Sequence, residues 1–226
     1  MPHRHALSGP LGPDHWLLAF AASVFVFHQA PAFAGAPAGD AIDLLTPIAV
    51  IGSSTGLIAS LGWPRWAAGF ALAAGLLYVH GHGVHLAANS IHNEDPVGAA
   101  EDITYFWDER FSHIETHLGW FGLVGAFCLA ERDTQEQSTR TGVLVAAAGL
   151  LGWTFFTSTV EGQTWPMELA ATALFACWAL LARGKRRASR PLLRTSAAAF
   201  AVGALLIGLW AVWQGGVPEF SDSGLI

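Results

Sequence analysis

Charged residues are scarce in this chain. Asp, Glu, Lys and Arg make up 12% of its 226 residues, where a soluble domain carries about 25%. Hydrophobic residues make up 53%, more apolar surface than a soluble protein of this length can bury, so a soluble globular domain is not expected. Cysteine is nearly absent. Cys128 and Cys177 both lie inside apolar runs, which argues against a disulfide framework or a cysteine-based zinc motif and leaves them as packing residues. Basic residues form only one cluster, a short loop between two apolar segments, so no nucleic-acid-binding surface is expected. The sequence also lacks a G-x-S-x-G elbow and a dinucleotide fingerprint, which argues against a serine hydrolase or a nicotinamide-binding domain.

What the chain does have is a series of apolar runs about 20 residues long, the length that crosses a bilayer as a helix. Seven are expected: His15–Ala34, Ile42–Leu61, Pro64–Asn89, Ile103–Ala130, Thr141–Val160, Pro166–Arg183 and Thr195–Trp213. Pro64 and Pro166 stand where a first helical turn tolerates a missing N–H, and "HNEDPVG" ends the third run with Asn, Asp, Pro and Gly. No repeat or soluble domain interrupts the series. The expected fold is therefore all-α, a single seven-helix membrane domain over residues 1–226.

The distribution of charge orients it. "RGKRRASRPLLR" carries six of the eleven Lys and Arg residues, which puts the loop before the last run in the cytoplasm by the positive-inside rule. Counting back, Arg132, Arg140, Arg65 and Arg4 also fall inside and only Arg110 outside. The N-terminus is expected in the cytoplasm and the C-terminus outside it. The net charge of −6 leans the other way, with "NEDPVGAAED" and "PEFSDSG" both extracytoplasmic. One alternative concerns the first run: "APAFAGA" offers an A-x-A-like site at Ala32–Ala34, as a cleaved signal peptide would. Cleavage would remove one crossing and invert none.

Against this apolar background, "YVHGHGVHLAANSIHNE" (residues 78–94) is unusual, because histidines are costly in a membrane helix. At 100° per residue, Tyr78, His82, His85, Asn89 and His92 share one helical face, and His80 points away. Gly81 and Gly83 are expected to let a neighbouring helix approach closely. The next run carries a matching stripe of Asp102, Tyr105, Glu109, His113, His117 and Trp120 at i, i+3/i+4 spacing, with Asp108 and Glu115 pointing elsewhere. The two runs are antiparallel neighbours, so His82 is expected opposite His117, His85 opposite His113, and Asn89 or His92 opposite Glu109. Ser158, Glu161, Glu168 and His28 reach the same outer level.

Imidazoles and carboxylates gathered at one depth suit Zn, Fe or Cu, and Glu109-x-x-x-His113-x-x-x-His117 and His82-x-x-His85 each present ligands along one helix. The expected metal set is His82, His85, His113, His117, Glu109, Glu161 and Glu168, holding one or two transition-metal ions. Asn89, His92, Asp102, Tyr105 and His28 are expected around it. Glu109 and Glu168 are the candidate acid/base groups. A membrane metalloenzyme acting on a lipid-like or other apolar substrate follows, by hydrolysis or by oxygen or redox chemistry. Two other readings remain open: a proton or metal-ion transporter, and a structural membrane subunit with a hydrogen-bonded polar core.

Overall fold

The computed structural model describes residues 11–34, 38–94, 98, 100–132, 134, 138–182 and 190–224, and the side chains of residues 32 and 92–94 lie outside the described residues. Of the described residues 85% are helical and none is in a strand. In chain order the helices are α1 (Pro13–Ala34), α2 (Ala38–Asp43), α3 (Thr46–Ser60), α4 (Arg65–Glu94) and α5 (Glu101–Tyr105). A π-helical segment (Phe106–Ser112) follows, then α6 (His113–Arg132), α7 (Thr141–Glu161), α8 (Trp165–Ala182) and α9 (Pro191–Gln214). Among the described residues, five stretches are long and apolar enough to cross a membrane: Ala38–Ser60, Arg65–Ile91, Thr141–Glu161, Trp165–Ala182 and Pro191–Gln214. This is the pattern of a multi-pass membrane protein.

Each expected run coincides with helix, and two departures matter for the site. The second run is broken at Leu44 and Leu45, so Asp43 ends a short separate helix and Pro47 stands in the first turn of α3. The fourth run is not a uniform α-helix, because its N-terminal part is π-helical from Phe106 to Ser112.

The helices pack as a bundle whose widest seam joins α4 to α6. Small residues make that seam possible. A Cβ on Gly119 would lie 2.4 Å from the Tyr78 amide nitrogen, and one on Gly81 would lie 2.6 Å from the Thr116 nitrogen. Gly83, by contrast, has open space around it. Within a bilayer, where lipid is as apolar as leucine, such close backbone packing stabilises helix pairs more than apolar burial does. α7 packs on α9, α1 lies against α3 and α7, and α8 rests mainly on α9. The shared core contains Leu17, Phe20, Leu57, Trp120, Phe127 and Phe155. Stacked on Phe155 at 4.5 Å between centroids is Phe200. A smaller cluster of Phe156, Val160, Ile207 and Trp210 is covered by Phe220, held where the Phe220 N–H donates to Glu161 Oε2 at 2.8 Å.

At the end where α6 finishes and α7 and α9 begin, two carboxylates tie helices together. Glu131 accepts the N–H groups of Leu192 and Leu193 at 2.8 and 3.1 Å, filling the unpaired donors of the first turn of α9. Asp14, buried in the first turn of α1, accepts the Arg140 N–H at 2.9 Å.

Candidate functional site

The opposite end of the bundle, where α4 and α7 finish and α6 and α8 begin, holds the histidines. Five of them form a continuous file of ring contacts. The centroid of His117 is 6.2 Å from that of His113, His113 is 5.1 Å from His85, His85 is 6.2 Å from His82, and His82 is 6.2 Å from His28. Trp120 stacks on His28 at 5.5 Å and Tyr78 on His82 at 6.0 Å. The file draws on α1, α4 and α6, and the glycine seam is what brings the last two within ring contact.

Hydrogen bonds fix which nitrogen of His85, His113 and His82 is left over. His85 donates its Nδ1–H to Asp108 Oδ1 at 2.5 Å, and His113 donates its Nδ1–H to the Glu109 carbonyl at 3.0 Å. Each therefore keeps Nε2 as the nitrogen with a lone pair. His82 donates Nε2–H to the Asp43 carbonyl oxygen at 3.0 Å. The Asp43 carboxylate lies 3.4 Å from His82 Nε2 and 4.0 Å from His85 Nε2, and it accepts the Thr46 hydroxyl at 2.9 Å. His117 is engaged at both nitrogens, Nδ1 with Thr164 Oγ1 at 2.5 Å and Nε2 with Ser158 Oγ at 2.9 Å.

Of the expected residues, the structure brings together His28, His82, His85, His113 and His117, with Glu109 beside His113 at 3.5 Å. The expected pairing of His85 with His113 is present. His82 meets Tyr78, His28 and His85 rather than His117, whose ring neighbours are His113, Trp120 and Phe121. Asn89 is half-buried one turn beyond His85. Asp102 and Tyr105 are exposed, and Glu161 is turned to the Phe220 amide. Glu168 is buried on α8 against Gly203 and Phe155. The His92 side chain lies outside the described residues. His80, expected to face away, does so, paired with Glu115 at 2.6 Å on the exposed side of the seam.

One expectation is corrected. Asp108 was assigned to a face pointing elsewhere, yet it is buried and bonded to His85. The cause is the π-helical segment: its wider turn breaks the 100° step on which the stripe was drawn. The Ser112 hydroxyl, donating to the Asp108 carbonyl, lies inside that turn. The widened turn presents Asp108 to α4 and leaves Asp102 and Tyr105 off the stripe.

Sequence reasoning also missed Asp43 and Thr164. Asp43 lies at the edge of an apolar run, where an acid reads as a boundary marker. Its one signal is Pro47 four residues on, since a Pro in the first turn marks a helix start just beyond the acid. Thr164 gives no signal short of the turn that places it over His117.

Among the described residues, no three His, Cys, Asp or Glu side chains are already gathered into a ligand set. What exists is a pair of facing imidazoles with free Nε2 atoms and a carboxylate on each side. Compared with known proteins, the chain matches no family model, no curated protein and no solved structure.

Proposed function

We propose that this is a membrane-embedded metalloprotein, with His85 and His113 as the first two ligands of a transition-metal ion. The observation that carries the reading is the orientation of those two rings. Metal-binding histidines characteristically donate the second ring N–H to a carboxylate or a backbone carbonyl, which fixes the tautomer and the ring plane. His85 does the first through Asp108 and His113 does the second through Glu109. Two Nε2 lone pairs are left on rings 5.1 Å apart. Asp43, 4.0 Å from His85 Nε2, is the nearest carboxylate to serve as a third ligand, and His82 adjoins it. Glu109, one turn before His113, is positioned to hold or pass a proton beside them.

In this reading the polypeptide crosses the membrane seven times, α1 and the segment from α5 through α6 adding to the five apolar stretches. The basic loop before α9 faces the cytoplasm, which puts the histidine end in the extracytoplasmic half. The substrate is lipid-like or otherwise apolar. An apolar groove of about 200 Å³ between α3 and α4, lined by Ile51, Ile58, Leu72, Leu76 and Val79, supports this. It lies below the histidines rather than at them, with Val79 one turn short of His82. Zinc would supply a Lewis acid for hydrolysis, and iron or copper would supply oxygen or electron chemistry.

A proton or metal-ion transporter is the second reading, favoured by the unbroken contact of the five rings. Against it, the file runs across one end of the bundle rather than through it. The buried hydroxyls farther along α3, Ser53 and Ser54, are bonded to carbonyls of their own helix. Elemental analysis of protein purified without chelator, beside a His85→Ala/His113→Ala double variant, tests the first reading. Stoichiometric Zn, Fe or Cu, lost in a still-folded variant, is the expected result. Protein that stays metal-free after reconstitution with each of the three ions overturns it, and proton flux in liposomes then decides for or against transport.

A further inference from the structure

Among the described residues, the α7–α8–α9 side of the bundle contains a fully buried carboxyl with no hydrogen-bond partner. Glu168, in the first turns of α8, is fully buried, and neither Oε1 nor Oε2 has a hydrogen-bond partner. Its place is made by a missing side chain: a Cβ on Gly203 of α9 would lie 2.5 Å from Oε1 and 3.2 Å from the Phe155 Cβ of α7. Nearby, the Thr172 hydroxyl donates to both the Glu168 carbonyl and the Phe200 carbonyl, at 2.9 and 3.0 Å, locking α8 onto α9 beside the carboxyl.

No charge faces it. The ionisable residue of α7 is Glu161, which is turned to Phe220. Cys177 of α8 and Arg194 of α9 each lie nine residues from the contact, about 13 Å along a helix. An ionised carboxylate placed here would lose its hydration with nothing in return, a cost of several kcal/mol. A metal cation would need several ligands, and among the described residues no three His, Cys, Asp or Glu side chains gather around the carboxyl. A proton needs none.

We infer that Glu168 is a proton-binding site, separate from the histidine file, and that the bound proton is what allows α8 to dock on α9. The neutral acid fits the slot opposite Gly203. Loss of the proton creates a buried anion that can find water only if α8, the helix resting on little besides α9, moves away. The site therefore links proton uptake to the position of one peripheral helix.

Infrared spectroscopy of the full-length protein in lipid reads the proton directly. The expected result is an undissociated-carboxyl carbonyl band at neutral pH that is lost in Glu168→Gln. A second arm follows hydrogen exchange of α8, corrected for intrinsic rates. Wild-type α8 should lose protection as pH rises, and α8 of Glu168→Gln, which cannot ionise, should keep it. Should Glu168→Gln not fold, wild-type protein suffices, because the apolar reagent dicyclohexylcarbodiimide attacks undissociated carboxyls. Mass spectrometry should then find the adduct on Glu168 at neutral pH. A missing carboxyl band, an unmodified Glu168, or identical pH responses of the two proteins overturns the inference. All three readouts should be unchanged in the His85→Ala/His113→Ala variant, so their failure is distinct from failure of the metal reading.

Discussion

The two ends of the bundle use their carboxylates differently, with Glu161 on the Phe220 amide the exception at the histidine end. Where α6 finishes, Glu131 and Asp14 accept backbone N–H groups of the neighbouring chain segments. Where α6 begins, Asp108 accepts from the His85 imidazole, and Asp43 adjoins both His85 and His82. A carboxylate that satisfies helix-end amides holds elements in place and leaves nothing over for a ligand. A carboxylate that orients an imidazole leaves the other ring nitrogen poised. The first end is where the fold is fastened, and the second is where chemistry is possible.

The comparison is tested most strongly at the fastening end. Glu131→Ala should leave two amides of the first turn of α9 unpaired and cost about 3 kcal/mol, from charge-assisted hydrogen bonds worth about 1.5–3 kcal/mol each that water partly replaces. Thermal unfolding in detergent would measure it, and metal content of the surviving folded protein should not change. At the other end the pattern should reverse. Asp108→Asn should leave the melting temperature nearly unchanged while, under the proposed metal reading, metal affinity falls about 10–100-fold, the usual effect of removing a carboxylate behind a ligating histidine. Competitive chelator titration gives that number. Equal losses of stability in both variants would erase the distinction between the ends.

The smallest effect is a pH dependence. Burial pushes the Asp14 carboxyl up, but the Arg140 N–H and the His15 side chain outweigh it and hold the group below the usual carboxylate range. A carboxyl depressed on folding contributes stability that is present above its unfolded value, about 3.9, and is lost as pH falls through the folded value. Asp14→Asn should cost about 1 kcal/mol at neutral pH and flatten the acid limb of the stability curve below pH about 4. An unaltered acid limb would mean that other carboxyls set it.

Much of this fold was legible in sequence because length and apolarity are sufficient to mark helices of this kind. The pairing of His85 with His113 was legible too, since both lie on regular helix next to a short connection. What was hidden had a local cause. "FWDERFS" has the residue pattern of an ordinary amphipathic helix, so nothing in it announces a π turn, and Asp108 was assigned to the wrong face. Asp43 was hidden by position, as an acid at the edge of an apolar run. Glu168 was legible as an acid at the level of the histidines and a candidate ligand or acid/base group, but not as an isolated one, because its setting depends on Gly203 and Phe155, which are distant in sequence.

The π turn between Phe106 and Ser112 also decides how this segment tolerates change. Such a turn amounts to an α-helix with a residue to spare. Removing one residue there would re-seat the turn as ordinary helix and take from Asp108 the setting that the spare residue gives it, while the residues before the turn kept nearly their place, since six residues at about 100° sweep roughly the angle of seven in the wider turn. Replacing one residue with another of similar size would not. Along these seven positions the number of residues aims the acid, and their identities matter much less than their count.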